Sequence, residues 1–270
     1  MFLQGISQLC FGASYVVALG LELTRTVWPR TWPRWLGLAF GTVGLFAHTL
    51  YLLFRAPSVA TPWGSLLLLS WVLAIFYLYG AFHHRKLAWA IFVLPIVLIL
   101  IGLSVVFPQS PDQSFSNWFT GSNFWAMVHG GLLLLAAIGV CVGCAVSVMY
   151  LVQARRLRTK SNPGQGLKLM SLERLAEMNR RAIVWAFPLL SAGLLVGIAL
   201  QLQEEHGQTV WFSWRYLGTA GLWLAFLLLL YMRFAAQASN RRLAILTIAV
   251  FILLLGTLVT SHPLPAGGSP

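Results

Sequence analysis

Eight apolar runs alternate with polar connections along the chain, at about 3–23, 35–54, 63–82, 87–107, 124–152, 182–202, 214–232 and 243–260. Each holds roughly 18–25 residues, enough for a helix rising 1.5 Å per residue to cross a bilayer. The pattern predicts an all-α integral membrane protein, a bundle of about eight transmembrane helices forming one domain over 1–270. Small residues recur at spacing four: Gly139, Gly143 and Ser147 in span 5, Gly193 and Gly197 in span 6. Such faces let helix backbones approach, so they should pack against other helices rather than lipid. Pro95 and Pro188 fall inside spans and should bend them. The long connection 153–181 contains SNPGQG, a flexible break, then SLERLAEMNRR, which reads as a short interfacial helix. Ser171 can cap it, and Glu173 suits its positive N-terminal end.

Charge then orients the bundle. The chain is 59% hydrophobic and 9% charged with net charge +12, a composition no soluble domain of 270 residues shows. Of the 18 basic residues, all but Arg55 and Arg215 fall in alternate connections. That is the cytoplasmic bias of membrane loops, and it removes nucleic acid as the explanation for the charge. Connection 153–181 is then a basic cytoplasmic loop, and both termini lie outside. Residues 1–21 carry no charge and the first arginines follow them, the reverse of a cleavable signal, so the first span should stay. The lipid bilayer is thus one partner of a multi-pass protein.

Histidines carry the candidate chemistry. His83 and His84 adjoin Arg85 and Lys86, and His206 adjoins Glu204 and Glu205, settings that suit solvated residues. His48, His129 and His262 differ, because each falls near the outer end of an apolar span, within about 10 Å of common depth. An imidazole in an apolar span is costly without a partner. Each could hydrogen-bond locally or face a small polar cavity; alternatively, the set could supply axial ligands to a haem. Zinc fits less well, since no carboxylate or cysteine joins them outside. Cys141 and Cys144 form C-x-x-C at mid-membrane, but Ala145 stands where covalent haem attachment needs histidine, which favours helix packing. The sequence shows no nucleophile–base set, phosphate-cradling glycine loop or pair of membrane carboxylates, which argues against hydrolase, ATPase and proton-pump chemistry.

Five segments, in order, resemble the cytochrome c assembly family: the CcsA/ResC and CcmC haem-handling proteins with their HemX- and YpjD-like relatives. They are TPWGSLLLLSW (61–71), SNFWAMVHGGLLLL (122–135), SLERLAEMNRRAIVWAFPLLSAGLLVG (171–197), VWFSWRYLGTAGLWLAFLLLLYMRF (210–234) and SHPLP (261–265). The resemblance covers about 35–265. It implies a haem-binding membrane protein, not an enzyme, that assists c-type cytochrome biogenesis at the outer face of the cytoplasmic (inner) membrane.

On this resemblance His129 and His262 are the external axial pair for non-covalently held haem b, and His48 is a membrane histidine deeper in the path. Trp211, Trp214 and Trp118 would line the haem face. Arg215, in place of the family's acid, would pair with a propionate or else anchor at the interface against Glu204 or Glu205. Apocytochrome c and a second membrane subunit are the implied partners. Two departures point to a divergent HemX- or YpjD-like member. Trp214 runs into Arg215 and Tyr216 instead of aspartate and proline, and Tyr231-Met232-Arg233 stands where a histidine is expected. The alternatives are a membrane regulator of tetrapyrrole synthesis and a haem-containing electron-transfer or quinone-reacting subunit.

Overall fold

A computed structural model describes residues 7–27, 32–57, 61–83, 88–107, 122–159, 169–203 and 214–260. Among them the chain is entirely helical. The helices are α1 (Gln8–Val27), α2 (Trp32–Arg55), α3 (Pro62–His83), α4 (Ala90–Val106), α5 (Ser122–Arg158), α6 (Leu172–Gln203), α7 (Trp214–Phe234) and α8 (Asn240–Thr260). Each overlaps one predicted span. The chain is an all-α membrane protein: α2, α3 and α5 to α8 are long and apolar enough to cross a bilayer. The 17 residues of α4 rise only about 26 Å, short of the ~30 Å hydrocarbon core. The 20 residues of α1 include Glu22, Thr24 and Arg25, which lower its apolar character.

Local chemistry explains the helix ends. Thr61 accepts the Gly64 backbone N–H at 3.2 Å, and Pro62 opens α3 where a missing N–H costs nothing. Ala56 closes α2 in the left-handed region, φ 38°, and Pro57 follows it. Ser171 caps α6 as the sequence predicts, accepting the Arg174 N–H at 3.4 Å. One expectation is corrected here. The stretch 171–181 is not a separate interfacial helix: α6 runs unbroken to Gln203, because nothing between Arg181 and Pro188 breaks a helix. The connection 153–181 shortens accordingly, with α5 continuing to Arg158.

The chain divides into two compact units. The first holds Met1–Ser114 and Val148–Leu175. In it α1 packs on α2 and α4, and α3 packs on α2 and α4, a closed set of four helices. Its core is aromatic as well as aliphatic, with Phe11, Tyr15, Trp63 and Tyr77 buried beside Leu66, Leu94 and Leu100.

The second unit holds Phe115–Ser147 and Ala176–Pro270. Here the small-residue stripe packs as predicted. A Cβ added at Gly139 would lie 2.8 Å from the Ala186 Cβ and 3.0 Å from the Ala182 carbonyl. Gly143 faces Thr247 and Ile183. Beyond them, buried Asn179 on α6 gathers α5, α7 and α8. The two N–H groups of its Nδ2 are shared among Ser147 Oγ at 2.8 Å, Thr247 Oγ1 at 3.2 Å and the Gly143 carbonyl at 3.3 Å. Arg233 donates to its Oδ1 at 3.2 Å. A guanidinium can only donate, so this contact fixes which way the amide faces.

Candidate functional site

His129 lies two turns into α5, half-buried against α6. Its Nδ1 is 2.7 Å from the Gly193 carbonyl oxygen. A carbonyl only accepts, so Nδ1 carries the proton and Nε2 keeps its lone pair. One turn further along α6, Gly197 makes room for the ring. A Cβ there would fall 2.6 Å from Cε1 and 2.8 Å from Nδ1. The Gly193/Gly197 pair, legible as a packing motif, therefore also forms a slot that sets the tautomer and plane of one imidazole. A hydrogen-bond partner on one nitrogen prepares a histidine in this way to ligate a metal through the other.

His48 is positioned differently. It lies on α2 and is fully buried in the first unit. Phe11 from α1 stacks on it, with ring centroids 4.1 Å apart and planes within 5°. Tyr15 meets it edge-on at 6.2 Å. Among the described residues neither His48 nitrogen has a hydrogen-bond partner, and the buried Tyr15 hydroxyl and Trp63 Nε1 also lack one. The stack covers a ring face, whereas the nitrogen lone pairs lie in the ring plane, so Phe11 does not occupy a ligating direction. His129 and His48 thus each fit metal ligation through a nitrogen: one by a fixed tautomer, one by unpartnered buried nitrogens.

Burying an unpartnered polar group costs about 1–3 kcal/mol, against ~0.5–1.5 kcal/mol for an aromatic stack. His48→Leu, close in volume, should therefore stabilise the fold by about 1 kcal/mol. Thermal melting in detergent checks this, and a lowered melting temperature would show that the imidazole stabilises the fold as it stands.

The structure describes two of the three predicted ligands, one in each unit. His262 and Trp211 lie outside the described residues, as do Trp118, His84, His206, the loop 108–121, SNPGQG and both chain ends. Trp214 and Arg215 open α7, but their side chains lie outside the description. His83 ends α3, exposed and stacked on Tyr79 at 4.7 Å, as an interfacial residue would be. Cys141 and Cys144 are buried free thiols, consistent with packing. Among the described residues no group of three or more His, Cys, Asp or Glu could hold a metal ion.

A multi-pass helical membrane protein with one imidazole preset in a glycine slot and another sealed among aromatics is the class these features define. The Cytochrome C assembly protein family matches residues 60–262, from the start of α3 through His262, and the chain belongs to this family. It is 25% identical over 207 residues to a cytochrome c biogenesis protein, CcsA, of Guillardia theta, covering 70% of this chain and 68% of that relative. No solved structure matches the chain. Membership supports a role in c-type cytochrome biogenesis. The first two helices, with His48, precede the family match.

Sequence reasoning missed the partners of these histidines. Phe11 and Tyr15 reach His48 from another helix, so no local spacing marks them. Asn179 reads as surface because Glu177, Arg180 and Arg181 surround it. Those three form an exposed cluster, with Glu177 bound to Arg180 at 2.7 Å and Arg181 at 2.8 Å.

Proposed function

We propose that this protein holds haem non-covalently and passes it on during c-type cytochrome maturation. His129 and His262 would be its axial pair, and His48 a second holding point deeper in the path. The observation that carries this is the His129 geometry: Nδ1–H donates to the Gly193 carbonyl and Nε2 is left able to ligate iron. Haem supplies the iron that two neutral imidazoles can saturate. The chain's own part is to orient the ring, keep the site apolar and release the cargo, with no bond made or broken in the polypeptide. Arg215 stands in the first turn of α7, where the helix dipole disfavours a cation. A propionate there would offset that penalty, with Trp211 and Trp214 against the porphyrin. In this reading apocytochrome c receives the haem beside a second membrane subunit, at the inner membrane of the cell.

Haem added to purified protein should give a low-spin spectrum. His129→Ala and His262→Ala should each lower occupancy or convert the spectrum, while His83→Ala should change neither. Wild-type spectra from both His129→Ala and His262→Ala would leave these residues a packing role only.

A further inference from the structure

Arg233 ends the buried stripe of α7 that runs through Leu222, Phe226 and Leu229. It is half-buried, and its two described hydrogen bonds go to neutral oxygens: Asn179 Oδ1 at 3.2 Å and the Ala176 carbonyl at 3.2 Å. A guanidinium has five N–H donors, so three remain. Among the described residues of this unit the one carboxylate is Glu177, and it is already held by Arg180 and Arg181. Arg241 and Arg242, exposed at the start of α8, add positive charge at the same end of the unit. A half-buried cation on neutral acceptors, among other cations, is stabilised by an external oxyanion.

We propose that Arg233, held in place by Asn179, binds the headgroup phosphate of an anionic membrane phospholipid. Asn179 and Ala176 tether one edge of the fork, which leaves the remaining donors to meet two phosphate oxygens. Leu230, partly exposed one turn before it on α7, offers apolar surface to the acyl chains. That surface favours a lipid over free phosphate. Such a lipid would brace the junction of α6, α7 and α8 through Asn179. This site is separate from the histidines and does not depend on haem.

The probe is phosphatidylglycerol, with phosphatidylcholine as the neutral comparison, read by native mass spectrometry and by melting in lipid nanodiscs. Wild-type protein should retain one phosphatidylglycerol in a saturable step and melt higher in its presence. Arg233→Gln keeps a donor for Asn179 but should weaken retention about tenfold or more and abolish the melting shift. Arg241→Gln with Arg242→Gln should leave the saturable step in place. Graded, unsaturable uptake by wild type overturns the site even if Arg233→Gln fails to fold. Equal losses from Arg233→Gln and from the Arg241/Arg242 pair would mean a diffuse field instead. Free phosphate displacing the lipid at equal concentration, or Arg233→Gln losing haem while keeping lipid, would assign the oxyanion to another source.

Discussion

Gly197→Ala should strip the protein of most of its haem affinity although every proposed ligand remains in the sequence. The new methyl would fall 2.6 Å from His129 Cε1, so the imidazole must swing away and give up its bond to the Gly193 carbonyl. For the fold this is tolerable, about 1–3 kcal/mol of overpacking. For the ligand it is not, because losing the partner that orients a metal-binding histidine typically weakens the metal 10–100-fold. Gly131→Ala is the matched control on the same helix as His129: among the described residues nothing lies within 4 Å of a Cβ there, so haem binding should be unchanged. A haem titration compares the two. Equal, wild-type affinities would mean that the slot does not position the ligand.

Asn179→Ala should be among the most destabilising substitutions in the second unit, at about 2–3 kcal/mol. Interhelical hydrogen bonds within membranes average ~0.6 kcal/mol each, so one such bond decides little. Asn179 serves four partners at once, its two N–H groups shared among three acceptors, and its removal leaves the Gly143 carbonyl, the Ser147 and Thr247 hydroxyls and half-buried Arg233 short of a partner. Ser14→Ala loses one exposed bond to the Cys10 carbonyl in its own helix and should cost under about 0.5 kcal/mol. Denaturant unfolding in detergent measures both. A cost for Asn179→Ala no larger than that of Ser14→Ala would show that the cluster does not hold the four helices together.

Hydropathy alone located the eight described helices, six of them long and apolar enough to cross a bilayer, because a bilayer demands long runs of apolar side chains whatever the tertiary packing. The same signal misjudged the start of α6. Amphipathic SLERLAEMNRR changes polarity at Arg181 without changing helical propensity, so the helix continues where the apolar run does not. Spacing-four glycines gave the packing faces correctly. What they packed against was not legible, since Gly197 meets His129 from 68 positions earlier in the chain. His129 was legible as a polar residue in an apolar run, but its tautomer required the Gly193 carbonyl in three dimensions. His48 shows the limit most plainly. Its sequence setting matches that of His129, yet one imidazole is hydrogen-bonded and the other is sealed between Phe11 and Tyr15.

The most direct test of haem handling is the absorption spectrum of the purified protein as haem is titrated in, followed to saturation. A pair of neutral imidazoles on one iron predicts a low-spin spectrum saturating at defined stoichiometry, lost in His129→Ala. A spectrum indistinguishable from free haem in the same detergent, at every ratio, would contradict haem binding by this protein.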